Sequence, residues 1–591
     1  MRPAAVRSIW RSRLRPFWRL EPALYEGVAA RLTTLGENFL VLEAAAESRQ
    51  FFGELPKMAY LEALALARAG SPQRCLEMLV DRGELLAGET NVPDIPWRVE
   101  ALRGRVCKDG WKATGDARLL SDSFEHYLQA YRQSGGDPFP GVNAASMAFL
   151  AGRGDHARTL AGEVRARLGS AHSGEDYWAA VTRAECSLIL GEIQTAHDEY
   201  RAACAAAEIP RGNLITTRAQ ARLLLAHHGG DARTFDDAFA LPNVACFSGH
   251  RTDDPGRESP RFPENKTGAV AARLREILLA HHIRFGFSSA ARGGDILFSE
   301  AIRALPEGET NIFIPGERET FRRASVDSVS GPSWDERFEQ ALAEADEVTT
   351  IDLCGDEPQP VDFDYCNRLT LGAAMFRARE LDSELTFIAL WDGRPGPRGG
   401  TADAVRLARE AGLKVEIVNP MQPEVVSVHP GNHQAPSGEK NLFAILVMDL
   451  GREAVPRFLA KARWNIWDSP LLTSIFTSTE EAVWAAKAIM ASGEFTSSKI
   501  ALHFAPLDFL ADPAKDTVHP SGIHLKHARD MHGLCLPQSI CASAEFAAAT
   551  RFENSGAEFE YIGRLTSPAG IPDRQVYRLT LEPRPAAPSS A

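Results

Sequence analysis

The chain has 591 residues, too many for one hydrophobic core, since domains usually hold roughly 100 to 200 residues. Hydrophobic residues at 44% and charged residues at 24% exclude wholesale disorder, and no apolar run approaches the roughly 20 residues that cross a bilayer. A formal net charge of -13 excludes a general nucleic-acid surface, because phosphate backbones are held by Lys and Arg, but it leaves room for a small anionic ligand in a local pocket.

Residues 1–20 are basic and aromatic. Arg2, Arg7, Arg11, Arg13, Arg15 and Arg19 interleave with Trp10, Phe17 and Trp18. This pattern fits an amphipathic membrane-surface helix or, more simply, a first helix with a solvated basic face. From about Glu21 to Leu225, Ala, Leu, Arg and Glu dominate and apolar positions recur at three and four, so an all-α region is predicted across residues 21–235. Leu64–Gly70, Ala148–Gly154 and Leu188–Glu192 each end an apolar helix at a Gly-containing turn. Gly154 and Gly191 stand 37 positions apart, near the roughly 34 of tetratricopeptide repeats. The region resembles degenerate repeats of that kind, like the TRAFs-binding region beside bacterial signalling domains. The resemblance implies a concave surface for a protein partner; a helical scaffold without a ligand is the alternative.

Near Leu241 the pattern changes to short β-branched or aromatic runs alternating with helix-period stretches. Strands are predicted at Asn243–Phe247, Ile283–Phe287, Asn311–Ile314, Glu347–Leu353, Leu385–Trp391 and Leu413–Val418. Such alternation predicts a mostly parallel sheet covered on both faces, here over residues 241–425. The first strand runs into Ser248-Gly249-His250-Arg251, and the second into Ser288-Ser289, followed by Gly293-Gly294-Asp295 before a helix. Ligands of open α/β sheets sit beyond the carboxyl ends of strands, where small residues let backbone N–H groups approach an anion. Each loop alone is equally a packing device, and Asp295 equally a helix cap.

The run from Phe247-Ser248-Gly249-His250 through Gly293-Gly294-Asp295 to Ile314-Pro315 resembles the SLOG superfamily, a Rossmann-like group. Phe321, Ser325-Val326, Trp334–Phe338, Tyr365–Arg368 and Trp391-Asp392-Gly393 with Gly399–Asp403 continue it. The resemblance implies a nucleotide or nucleotide-derived ligand held by Ser248, Gly249, His250, Arg251, Ser288, Ser289, Gly293, Gly294 and Asp295. It also raises an enzymatic version, since LOG-type enzymes cleave N-glycosidic bonds with a Gly-Gly-x-Gly-Thr loop and a downstream Glu. Glu300 stands at a comparable distance, while the Gly-Thr of that loop is replaced here by Asp295-Ile296.

A polar linker is expected at 426–440 and a disordered tail at 583–591. Between them, at 441–582, lie Phe443–Asp449, Asn465-Ile466-Trp467, Ile500–Pro506, Gly522–Leu525, Ser543–Phe546 and Glu560–Arg564. Their order and spacing resemble class III adenylyl/guanylyl cyclase domains, which implies a ferredoxin-like α+β fold and head-to-tail pairing, hence a homodimer. Cyclases of that class hold two divalent cations on two carboxylates. Asp449 occupies the first place, but where a Gly-Asp-Gly hairpin belongs the chain reads Asp468-Ser469-Pro470, 19 positions on. Lys526 and Asp530 stand at the Asn and Arg positions, and Ala569-Gly570 near the phosphate Lys. Asp449 and Asp468 are therefore read as a vestigial metal pair and the domain as a pseudo-enzyme, with Mg²⁺ or Mn²⁺ needed only where cyclase activity survives.

The nine cysteines are scattered, without zinc-type spacing to histidine, as in a reduced cytoplasmic protein. The expected function is a signalling sensor or scaffold that binds a nucleotide-derived ligand. The alternative is an enzyme, either a residual cyclase or a nucleotide N-glycoside hydrolase.

Overall fold

The computed structural model describes residues 6, 9–87, 94–169, 176–205, 211–239, 242–327, 334–353, 357–381, 383–429, 442–449, 457–468, 470–492, 498–512, 517–553, 557–565 and 574–580. The expected linker residues Pro430–Lys440, the tail from Pro583, and Arg2, Arg7, Cys354, Ser469 and Ala569-Gly570 lie outside them. Residues up to Leu241 form one compact unit and Pro242–Leu579 belong to another.

The first unit is helical, as its sequence period requires. Helices at Pro22–Thr34, Pro56–Arg68, Pro72–Asp81 and Pro138–Leu150 open on proline, which occupies a first turn whose N–H has no partner to lose. Gly70, Gly152 and Gly191 end helices at φ of 86°, 72° and 84°. After each, an N–H returns to the carbonyl five residues back: Ser71 to Leu66 at 2.9 Å, Arg153 to Ala148 at 2.8 Å and Glu192 to Ser187 at 2.9 Å. The three Gly turns are thus one left-handed capping device repeated along the chain. In the basic N-terminal segment Trp10 and Trp18 are buried and meet Tyr25 edge-on, at 6.1 and 5.3 Å between ring centroids. Arg13 lies over Trp10 and pairs with Glu47 at 2.5 Å, so these aromatics are core, while Leu14, Phe17 and Leu20 stay exposed. Among the described residues no helix is long and apolar enough to cross a membrane.

The second unit contains two seven-stranded sheets. In the first, β1 (Asn243–Gly249), β2 (Ile283–Ser288), β3 (Glu309–Pro315), β4 (Glu347–Ile351), β5 (Leu385–Leu390) and β6 (Val415–Asn419) alternate with α1 (Thr267–Ala280), α2 (Gly294–Arg303), α3 (Arg318–Ser325), α4 (Trp334–Glu344), α5 (Pro360–Leu381) and α6 (Thr401–Glu410). The order is β4-β3-β2-β1-β5-β6-β7, with β1 to β6 paired in parallel. Val244–Phe247 and Thr386–Leu390 are buried throughout, as a sheet covered on both faces demands. The chain builds outward from β1 to β4 on one side, then returns to the other side of β1 with β5. This reversal opens a crevice at the carboxyl ends of β1 and β5. The strand β7 (Gln422–His429) pairs antiparallel with β6 and carries the sheet past the expected boundary at 425. As a half-solvated edge it exposes Val425 and Val428, so it lacks the apolar run that marks its neighbours.

The second sheet holds β8 (Leu442–Asp449), β9 (Trp464–Asp468), β10 (Leu471–Phe476), β11 (Ile500–Pro506), β14 (Ile540–Ser543), β15 (Glu558–Leu565) and β16 (Arg574–Thr580), in the order β15-β16-β14-β11-β8-β10-β9; β12 (Asp508–Asp512) and β13 (Thr517–Ser521) form a separate hairpin. Its helices are α7 (Thr479–Ser492), α8 (Ile523–Leu534) and α9 (Ala544–Ala549). The sequence separates the two sheets into domains, whereas the structure packs them into one unit. Arg564 of β15 grips Glu347 of β4 with two hydrogen bonds of 2.6 and 2.7 Å, and the Tyr365 hydroxyl of α5 donates to the Phe504 carbonyl of β11 at 2.6 Å. At Gly372 of α5 a Cβ would stand 2.5 Å from the Ala548 carbonyl oxygen of α9, so only glycine permits that approach.

Candidate ligand-binding site

The two small-residue loops that follow β1 and β2 touch each other. The Gly294 N–H donates to the His250 carbonyl at 3.1 Å, and Asp295 accepts from the N–H groups of Gly249 at 3.2 Å and Ala291 at 3.3 Å. The approach requires glycine: a Cβ on Gly249 would lie 3.1 Å from Gly294 Cα, and one on Gly293 2.7 Å from the Thr252 nitrogen. A cavity of ≈ 610 Å³ opens beside them, lined by Ser248, Gly249, His250, Arg251, Ser289 and Asp295. Asn367 and Thr370 of α5 form a second wall, and Gly399, Gly400 and Thr401 bring in the N terminus of α6. Of the predicted residues, Ser288 is buried at the end of β2, and Gly293 and Gly294 pack loop against loop without lining the cavity.

The charges are arranged unevenly. His250 Nε2 lies 3.0 Å from Asp392 Oδ1, and Arg261 clasps both oxygens of Asp392 at 2.6 and 2.8 Å. Burial holds His250 below its ordinary pKa against the opposing hydrogen bond to Asp392. Burial would raise Asp392, but Arg261, the Arg394 N–H and His250 outweigh it and hold the carboxyl far below its usual range. Arg292 is committed to structure, donating to the carbonyls of Thr252 and Asp327 and pairing with Asp254. Arg251 differs: it donates to the Ala324 carbonyl at 2.9 Å, and among the described residues no carboxylate pairs with it. Although its side chain is exposed to solvent, partial desolvation by the surrounding loops, then neighbouring Arg292, lowers its pKa. Asp295 is pushed up to about 7, chiefly by burial, although its two N–H donors oppose this. Its carboxyl therefore takes two amides that a ligand anion would use; ahead of α6, Asp403 and the Pro397 carbonyl likewise take the N–H groups of Gly399 and Gly400, at 2.9 and 3.1 Å. The pairing of Asp392 with Arg261 beside the cavity left no signal in the sequence, the two being 131 residues apart with no shared motif.

Glu300 is not part of this cavity. It sits on α2 in a two-bonded pair with Arg337, at 2.8 and 2.6 Å, and the cavity lining omits it. In the second sheet Leu471 pairs with Asp449 on one side and Asp468 on the other, which separates their backbones by two strand spacings, roughly 10 Å. Each carboxylate faces α8: Asp468 takes Arg529 Nη1 at 2.9 Å, and Asp449 stands 3.6 Å from His532 Nε2 while accepting the Lys499 N–H at 2.9 Å. Lys526 and Asp530 point to solvent.

Residues 38–148 match the family model described as Tetratricopeptide Repeats-Sensor. No curated protein matches the chain. Among solved structures the chain is similar to an adenylate cyclase from Trypanosoma brucei in its monomeric state, at 11% identity over 26% of this chain and 95% of that one, with a TM-score of 0.20. It is also similar to the adenylyl cyclase CyaB from P. aeruginosa, at 10% identity over 24% and 93%, TM-score 0.19. A third is the non-canonical dimeric guanylyl cyclase domain of RhoGC from Blastocladiella emersonii, at 10% identity over 24% and 96%, TM-score 0.19.

Proposed function

We propose that the chain is a sensor or scaffold whose first α/β sheet binds a nucleotide or nucleotide-derived anion, while the helical repeats receive a protein partner. The observation that carries this reading is Arg251, an exposed cation whose guanidinium donates to the Ala324 carbonyl and has no carboxylate ion pair among the described residues, lining a cavity at the strand-order reversal together with the N terminus of α6. A guanidinium and oriented amides are the usual receptors of phosphate. Calorimetry with ATP, GTP, NAD and AMP is expected to give saturable heat from at least one of them, weakened about tenfold or more by Arg251→Ala, the loss of one charge-assisted contact. Flat titrations for the whole panel would sink the reading.

The second sheet has, on this proposal, no cyclase chemistry. The supporting geometry is the separation of Asp449 from Asp468 and the pairing of each with a side chain of α8, since two-metal catalysis needs carboxylates that share both ions. Incubation with ATP or GTP and Mn²⁺ is expected to give no cyclic product above background, and Asp449→Ala to change nothing. Product that disappears in Asp449→Ala would restore the enzyme reading.

A further inference from the structure

Apart from the cavity, the second unit encloses a group of histidines that the ligand-binding reading does not use. His503 projects from β11, and His524 and His527 stand three residues apart on α8, the helix that covers β11 and β8. All three are buried, at 1%, 3% and 9% exposure, and one ring nitrogen from each falls within 4.8 Å of the others. His503 Nε2 and His524 Nδ1 are 3.2 Å apart, close to the roughly 3.3 Å between two imidazole nitrogens bound at about 2.0–2.1 Å to one tetrahedral ion.

Three further features distinguish the group from ordinary core histidines. His503 Nδ1 is held by the Ser543 hydroxyl at 2.8 Å, the outer hydrogen bond that orients a ligating imidazole with its other nitrogen inward. His527 Nδ1 is buried without a hydrogen-bond partner, which in a packed interior is costly unless something else engages it. Finally, two carboxylates border the group: Asp352 Oδ2 lies 3.6 Å from His527 Nδ1 and Glu545 Oε2 3.8 Å from His503 Nδ1.

We propose that His503, His524 and His527 bind one divalent transition-metal ion of the zinc class, with Asp352 and Glu545 supplying the balancing charge. Imidazoles select this class over Mg²⁺ or Ca²⁺, which take oxygen ligands. Arg574 donates to His527 Nε2 at 3.0 Å and also pairs with Asp352. Ligation through His527 Nδ1 places the ring proton on Nε2, so the guanidinium leaves that nitrogen and remains with its carboxylates. Because Asp352 follows β4 of the first sheet while the histidines belong to the second, the ion would brace the seam between the two sheets.

The test uses the full chain, stripped with a chelator and titrated with Co²⁺ and then Zn²⁺. One equivalent of Co²⁺ is expected to bind with the intense visible bands of a tetrahedral site and to be displaced by Zn²⁺. The His524→Ala/His527→Ala variant is expected to lose affinity by ~100-fold or more, as removal of two of three ligands requires. The wild-type titration decides even where the variant fails to fold: no stoichiometric Co²⁺, or a weak octahedral spectrum, overturns the proposal. Undiminished binding by a folded double variant does so as well.

Discussion

At pH 8, Asp295→Asn is expected to raise the unfolding temperature of the Pro242–Leu579 unit, and at pH 5 to leave it level or lower it. Asp295 is buried with its carboxyl held at about 7 rather than the ordinary 3.8, chiefly by desolvation. A folded-state value above the unfolded one means that the native protein favours the protonated form. The stability this group contributes is thus fully present below about 3.8 and is lost as pH rises through about 7. The full difference corresponds to about 4 kcal/mol. Asparagine keeps one acceptor for the amides of Gly249 and Ala291 but turns its NH₂ toward the other, at a cost of about 1 kcal/mol. The variant should therefore gain on wild type by a few kcal/mol between the two pH values, read by scanning calorimetry. Parallel pH profiles would show that Asp295 does not titrate in this window.

Gly293→Ala is expected to destabilise the same unit by about 3 kcal/mol or more and to abolish ligand binding. Gly293 has φ of 89°, a region that costs a non-glycine residue roughly 1–3 kcal/mol. The added Cβ would also stand 2.7 Å from the Thr252 nitrogen and 3.1 Å from the His250 carbonyl oxygen. Both obstacles are backbone, so the loops must part and carry His250 and Arg251 away from the α6 terminus. Gly396→Ala is the matched control: it lines the same cavity, has no heavy atom within 4 Å of its Cβ, and should stay within about 0.5 kcal/mol of wild type. Equal urea midpoints for the two variants would refute this account of the loop.

The sequence disclosed what burial on both faces imposes. Leu385–Leu390 is a nearly continuous apolar run because a central parallel strand has no solvated side. The antiparallel edge β7 shows no such run, and the boundary expected at 425 falls inside it. Small residues likewise marked the two touching loops, since backbone contact tolerates little else. What they did not reveal is orientation: Asp295 reads equally as a helix cap or as a ligand contact, and only the fold turns it inward onto two amides. Long-range pairs left no trace at all. Asp392 and Arg261 meet across 131 residues, and His503 joins His524 across 21, distances at which neither spacing nor periodicity carries a signal.

The helix α5 has a further consequence. One of its faces supplies Asn367 and Thr370 to the cavity wall, another presents Tyr365 to β11, and at Gly372 its backbone rests against Ala548. Where backbones meet with no side chain between them, there is no compliant layer to absorb displacement. On the proposed function, a guest that displaces α5 is expected to displace α9 with it, so that filling the cavity loads the second sheet as well.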